Sequence, residues 1–424
     1  MSHADISTWL ALSCGALLLL VPPTSARAQS GPAVQIFTSA NSGGMRIMPL
    51  ERLPIGVSAS VSAGYDTNVG SSSANDTGSF FSSANVGLTY SFGTERTRVG
   101  LSWGTGLTYY SRGGQGTFGD WEPDTSLNVS LSHGVSERLS LSAGIHAVYG
   151  VEPDFATGLS ENRRSGNFFN TSDSITASYA WLERFSTVTS YSISVIKYDE
   201  EPLASLLNRY DHSISQQLRF LVLPLTTVVA QYGLSLAVYE VGDRGSMSQV
   251  FLAGVDQSLG PRLQGSLRAG AQLRSSDQEE GETFSPNASG SLSFVVGEKT
   301  SLSLTAQYAT QESNIVEATS SANFSTGLQL SYAVTPRISS NMTAYYSRGD
   351  YTGRKAIFFD PQRGFSIAQP TFSEASFDLG VGLSYSVTPR LSANGSFHYT
   401  EVSSDLAARP YARVRYSGGL SYSF

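Results

Sequence analysis

SFDLGVGLSYSV, residues 376–387, alternates without interruption. Phe377, Leu379, Val381, Leu383, Tyr385 and Val387 fall on one side of an extended chain, and Ser376, Asp378, Gly380, Gly382, Ser384 and Ser386 on the other. A period of two residues is that of a β-strand with one apolar and one polar face. The pattern recurs at Ala84–Phe92, Leu139–Tyr149 and Phe324–Val334, and from about residue 55 onward it scarcely pauses. The alternating runs extend over roughly 11 to 15 residues, well beyond the 5 or 6 of an ordinary strand and enough to cross a bilayer at a tilt.

The connections between runs alternate in length. Tight ones fall near 93–96, 134–138, 183–185, 221–225, 260–262, 297–300, 334–337 and 388–390. Wider, polar ones fall near 70–79, 112–122, 151–169, 199–208, 241–247, 275–284, 313–319, 349–372 and 402–409. Eight tight and nine wide connections give 18 strands, with 16 as the alternative count. The expected fold is all-β, a transmembrane antiparallel β-barrel of the Gram-negative outer-membrane type, with tight turns on the periplasmic side and larger loops outside. A sheet whose outer face meets lipid must close, because unpaired backbone groups find no partners there. A soluble sandwich or β-helix is the competing fold, and strand length weighs against it.

Composition agrees. The 424 residues include only 14 % charged side chains, 41 Gly, 21 Tyr and 21 Phe. Aromatic content of 11 % and steady alternation argue against disorder. A formal net charge of −7 without a basic cluster argues against a nucleic-acid partner. A single Cys excludes a disulfide framework and a multi-cysteine metal site. The lone long apolar stretch, Trp9 to Val21, precedes Ala26-Arg27-Ala28 and reads as a secretory signal cleaved after Ala28. The n-region is unusual in carrying Asp5 and no Lys or Arg. The expected organisation is a signal peptide over 1–28, a periplasmic tail over 29–53 and the barrel over 54–424.

Parity assigns candidate lumen residues. Arg209, Asp211 and Arg219 oppose Ile214, Leu218 and Phe220; Arg268 and Arg274 oppose Leu267 and Leu273; Asp378, Arg413 and Arg415 lie on the polar faces of later strands. Charges around a hydrated pore select solutes by sign and size; interior salt bridges are the competing role for the same residues. Within the wide connections, 349–372 and 151–169 are the candidates to fold inward. Aromatics at Tyr65, Tyr109–Tyr110, Tyr308, Tyr345–Tyr346 and Trp181 suit the headgroup level. The turns VSERLS (135–140), VTPRIS (334–339) and VTPRLS (387–392) place an Arg at the inner rim, toward headgroups or simply as part of the turn.

Catalytic patterns are missing. The five His are scattered, and neither a GxSxG elbow, an HExxH pair nor a phosphate-binding loop occurs. GGQGTFG at 113–119 lies in a wide connection and reads as a turn. No enzyme activity, cofactor or metal is expected.

Three features carry a resemblance. GYDTNVG, with Tyr65, Asp66, Thr67 and Asn68, and the TPR turns resemble the second putative β-barrel porin group over roughly 53–424. The closing strand YARVRYSGGLSYSF, with Tyr422 and the terminal Phe424 on the lipid parity, resembles the signal read by the outer-membrane insertion machinery. The resemblance implies an outer-membrane location, with lipid and the insertion machinery as partners. It also makes a polysaccharide-related role thinkable. The sequence reading is a water-filled channel for passive diffusion of small solutes. The alternative is a non-conducting or accessory barrel in envelope assembly or exopolysaccharide export.

Overall fold

The computed structural model describes residues 55–424 except 73–76, 114–118, 152–166, 202, 243, 278–280, 316–317, 354–355, 361–363, 369–370 and 407–408, and it describes 356–360 and 364–368 by backbone alone. The signal peptide and tail assigned to 1–28 and 29–53 lie outside the described residues.

The first half of the wall is β1 (Ile55–Asp66), β2 (Ser79–Gly93), β3 (Thr97–Tyr110), β4 (Trp121–Gly134), β5 (Leu139–Gly150), β6 (Phe168–Leu182), β7 (Phe185–Tyr198), β8 (Arg209–Leu223) and β9 (Thr226–Tyr239). The second half is β10 (Ser246–Ser258), β11 (Leu263–Ser276), β12 (Glu282–Val296), β13 (Thr300–Glu312), β14 (Ala318–Thr335), β15 (Ile338–Gly353), β18 (Thr371–Ser386), β19 (Leu391–Ser404) and β20 (Tyr411–Ser423). Between β15 and β18 stands a separate hairpin, β16 (Ala356–Asp360) with β17 (Gly364–Ala368), and between β7 and β8 a short helix, α1 (Leu203–Leu207). Each wall strand pairs antiparallel with its chain neighbours, and β1 pairs with β20, so the 18-stranded sheet is closed. No helix among the described residues is long and apolar enough to cross a membrane; the crossing is made by strands.

The apolar parity points outward. Val61, Phe80, Ile175, Leu267 and Phe284 are each 59–70 % exposed. A continuous apolar surface of this kind far exceeds what a soluble protein leaves bare, and lipid is what covers it. Two aromatic belts bound it. Toward the wide loops, Tyr65 meets Phe80 at 5.0 Å and Tyr416 at 6.0 Å, and Tyr109 meets Trp121 at 4.8 Å. Toward the tight turns, Tyr90 meets Phe92 at 5.1 Å, Tyr179 meets Trp181 at 4.6 Å and Tyr422 meets Phe424 at 4.8 Å. Rings with one apolar and one wet side settle at such interfaces. The adjacent tyrosine pairs divide between the faces, as alternation requires: Tyr109 is exposed outside while Tyr110 is buried inside. Polar groups of outward parity are partnered locally, Thr189 donating to Gln216 at 2.6 Å and Thr226 to Gln257 at 2.7 Å.

The repeated turns have one local cause. Ser136 Oγ accepts from the amides of Arg138 and Leu139 at 3.2 and 3.0 Å. Thr335 accepts from Arg337 and Ile338, and Thr388 from Arg390 and Leu391, at 3.3 and 3.0 Å in both cases. The Arg then contributes a carbonyl: those of Arg138, Arg337 and Arg390 accept from Ala180, Ser386 and Ser423 on the next strand at 2.8–2.9 Å. The hydroxyl organises the turn and the Arg backbone extends the ladder. Thr335→Val should therefore cost about 1 kcal/mol, the worth of a hydrogen bond of this kind, read as a lower urea midpoint in lipid. Arg337→Gln should leave that midpoint unmoved.

Candidate functional site

Hydroxyls cover most of the inner face. Cross-strand pairs such as Ser392–Ser421 (2.6 Å), Ser396–Ser417 (2.7 Å), Ser266–Ser291 (2.8 Å) and Ser83–Thr108 (2.8 Å) satisfy one another and leave further lone pairs to the lumen. Near the tight-turn ends the inward positions are mostly Ser, Gly, Thr, Asn or Gln.

The loop-side half is different. Inward aromatic and apolar residues gather into three packed corners: Phe168, Ile196, Tyr198 and Leu207; Ile315, Ala318, Tyr351 and Phe372; and Val69, Phe81 and Tyr110. The helix α1 belongs to the first, because Leu207 seats it against the wall.

One loop-side element turns inward, the β13 end of the β13–β14 hairpin. The β12–β13 ladder ends at Ala288↔Tyr308, although β12 continues back to Glu282 and β13 on to Glu312. The expected partner of Thr310 is Pro286, which has no amide hydrogen to offer. Above that row β13 parts from β12 and its end turns into the barrel, while β14 stays paired with β15 as far as Ala318↔Gly353. The inward side chain of Gln272 on β11 replaces the missing strand: its Nε2 donates to Thr310 O at 2.8 Å and its Oε1 accepts from Thr310 N at 3.3 Å. Glu312 shares the parity of outward Tyr308, yet its carboxylate meets three inward residues: Arg274 of β11 at 2.7 Å, Tyr239 of β9 at 3.1 Å, and Ser246 of β10. Arg209 of β8 donates to Asn314 at 2.7 Å and to Asp211 at 2.9 Å. Residues 318–321 of β14 are buried at every position, as a strand covered on both faces must be. Of the segments expected to fold inward, 151–169 falls largely outside the described residues, and 349–372 is described in its middle only as the backbone of the β16–β17 hairpin; the described stretch that turns inward is 309–314, at the end of β13.

The eight candidate lumen residues all have inward parity, and most are held in pairs. Arg209 and Arg274 serve the hairpin tip. Arg219 and Arg268 flank Asp256, at 2.6 Å each. Asp378 accepts from Thr400 at 2.7 Å. The Arg415 guanidinium lies 4.3 Å over the Phe81 ring. Arg413 reaches across the closing seam to Asp66, its Nε 3.0 Å from each carboxylate oxygen. Asp66 and Asn68 are thus the seam itself. Asn68 N donates to Asp66, and Asn68 Nδ2 donates to the carbonyls of Ser72 and Ala412 at 3.0 and 3.1 Å. Thr67 and Val414 exchange two further bonds at 2.9 Å. Tyr65 packs outside, in the aromatic belt.

Sequence reasoning missed Asp256, Glu312, Tyr239 and Asn314. The parity of LAGVDQS places Asp256 inward and could have shown it. Glu312 could not be found that way, since alternation presumes that a strand stays in the wall. Among the described residues, no group of three His, Cys, Asp or Glu side chains is placed to hold a metal ion. His133, His146 and His212 bond to Thr97, Asn128 and Tyr191 on neighbouring strands.

A family model described as putative beta-barrel porin 2 matches residues 55–423, essentially the whole wall, and the chain belongs to that family. No curated protein matches it. Among solved structures it is similar to the outer membrane protein opdK from Pseudomonas aeruginosa, at 12 % identity over 87 % of this chain and 99 % of that one, with a TM-score of 0.44. It is also similar to OccAB4 of Acinetobacter baumannii (9 % identity, 89 % and 100 % covered, TM-score 0.42) and to the siderophore receptor PirA of Acinetobacter baumannii (8 % identity, 88 % and 81 % covered, TM-score 0.41).

Proposed function

We propose that this member of the putative beta-barrel porin 2 family is a passive diffusion channel for small hydrophilic solutes, narrowed by the hairpin tip of β13 and β14. A closed outer-membrane barrel of this kind is capable of forming a channel. The observation that supports the finer reading is the inner face: a wall of mutually satisfied hydroxyls beneath one polar, inward-turned strand end. Hydroxyls bind water and polar solutes weakly enough for them to leave again, as conduction requires. A sheet of 18 strands encloses a lumen wide enough for water. Insertion is assigned to the outer-membrane machinery reading the last strand, with Tyr422 and Phe424 outward.

The apolar corners at the loop side favour a second reading, an accessory barrel in envelope assembly or polysaccharide export that does not conduct by itself. Reconstitution in planar bilayers separates the two. Stepwise conductance in salt is the expected result. Silence at all voltages from protein with native strand content and heat-modifiable migration would support the accessory role.

A further inference from the structure

Near the tight-turn ends of the strands, the inward positions carry charge at only four places among the described residues: Arg98 at the rim, and Arg219, Asp256 and Arg268 together. Asp256 Oδ2 lies 2.6 Å from Arg219 Nη2, and Asp256 Oδ1 lies 2.6 Å from Arg268 Nη1 without the alignment of a hydrogen bond. One carboxylate faces two guanidiniums, so the cluster keeps a net charge of about +1. Each guanidinium commits one terminal nitrogen to Asp256. Arg219 Nη1 also donates to Gln217 at 3.3 Å, and Arg268 Nη1 reaches the carbonyls of Val255 and Leu267 at 3.3 Å. The donors left over point to further acceptors.

The cluster is built into the wall. The three residues come from β8, β10 and β11, and Arg219 bridges over β9, where Val229 beneath it is fully buried. Gly254 supplies the space for Arg268: a Cβ there would stand 2.8 Å from Arg268 Cδ. The guanidiniums are thus held by several partners, yet the three side chains remain 11–18 % exposed to the lumen.

We propose that Arg219 and Arg268, spaced by Asp256, form a subsite for the carboxylate of a permeating solute. Paired guanidiniums match a carboxylate in charge and geometry. The surrounding Ser and Gln wall offers no competing charge, and Asp256 keeps the site weak enough to release its guest. The proposal deepens the channel reading by naming the solute class, small monocarboxylates.

Benzoate, with neutral benzamide as control, is the probe. Saturation-transfer NMR on the detergent-purified full-length barrel should show benzoate binding and no benzamide binding. Asp256→Asn, which keeps both arginines, should tighten benzoate several-fold. Arg219→Gln with Arg268→Gln should abolish the signal while heat-modifiable migration stays native, and Arg268→Lys should retain part of it. In bilayers, benzoate should reduce the unitary current of the wild type and not that of the double variant. Equal benzoate binding by wild type and double variant would overturn the subsite. So would weaker binding by Asp256→Asn. Binding without conductance would leave the subsite standing and remove the channel.

Discussion

Joining Thr310 to Ala322 through an Asn-Gly turn should raise the unitary conductance of the barrel at least about twofold, because the narrowest section of a pore dominates its resistance. These two residues face each other across the hairpin, so a two-residue turn can close the shortened strands. The change removes Glu312 and Asn314, which tie the tip to the nearby strands β11, β9 and β8 through Arg274, Tyr239 and Arg209, and with them the 318–321 end of β14 that pairs with β15. It also uncovers Arg209 and Arg274, now 5 % and 3 % exposed, to the lumen. Water admitted to that space hydrates both guanidiniums, which limits the cost of unpairing them. Losing one carboxylate while exposing two cations should turn the pore toward anions as it widens. Glu312→Gln alone separates the two effects: it keeps most of the tip in place and should alter selectivity more than conductance. Unchanged conductance in the shortened barrel would show that the path is limited elsewhere, with the apolar corners around Phe168, Tyr110 and Tyr351 as the next candidates.

The wall was legible because each strand obeys a local rule. Lipid on one side and polar groups on the other force alternation, and three of the tight turns announce themselves through a Ser or Thr that binds two following amides. The alternation and the short breaks in it place all 18 strands and all eight tight turns. The inward turn of β13 was not legible, because it is a departure from the same rules. Parity puts Glu312 against lipid, and only the early end of the β12–β13 ladder turns it inward. One trace of this stands in the sequence: Pro286 inside an otherwise regular strand, a residue that a fully paired strand does not accommodate. The partner that completes the arrangement, Gln272, has no local mark, since it serves as a side-chain substitute for backbone.

The inward parity of Arg413 was equally readable, but its partner was not. Asp66 lies 347 residues away, and only closure of the sheet brings them together. The Asp-Thr-Asn segment therefore has a mechanical reason to exist. Three successive residues at the loop-side end of β1 bond across to β20: Asp66 to the Arg413 side chain, Thr67 to the Val414 backbone, and Asn68 to the Ala412 carbonyl. Every other pair of neighbouring wall strands is joined by a chain connection, whereas β1 and β20 are held only by bonds formed between the two strands.

Asp66→Ala should consequently cost about 3–5 kcal/mol, the loss seen when one partner of a buried ion pair is removed and the other is left uncompensated. Asp66 is fully buried and Arg413 is 8 % exposed, so water does not readily take the place of the lost carboxylate. Asn68, whose amide leans on Asp66 Oδ1 at 3.1 Å, loses its anchor as well. Asp66→Asn retains the shape and an acceptor but not the charge, and should fall between wild type and Asp66→Ala. The double variant Asp66→Ala with Arg413→Leu should recover part of the stability, because it removes the stranded guanidinium along with the pair. Urea titration in liposomes measures each midpoint, and heat-modifiable migration shows whether the barrel has closed. Opening should begin at this seam, so proteolysis of partly unfolded Asp66→Ala should cut first in β1 or β20. A single-variant loss below about 1 kcal/mol, the range of an exposed pair, would mean that register and backbone bonding close the barrel without help from the motif.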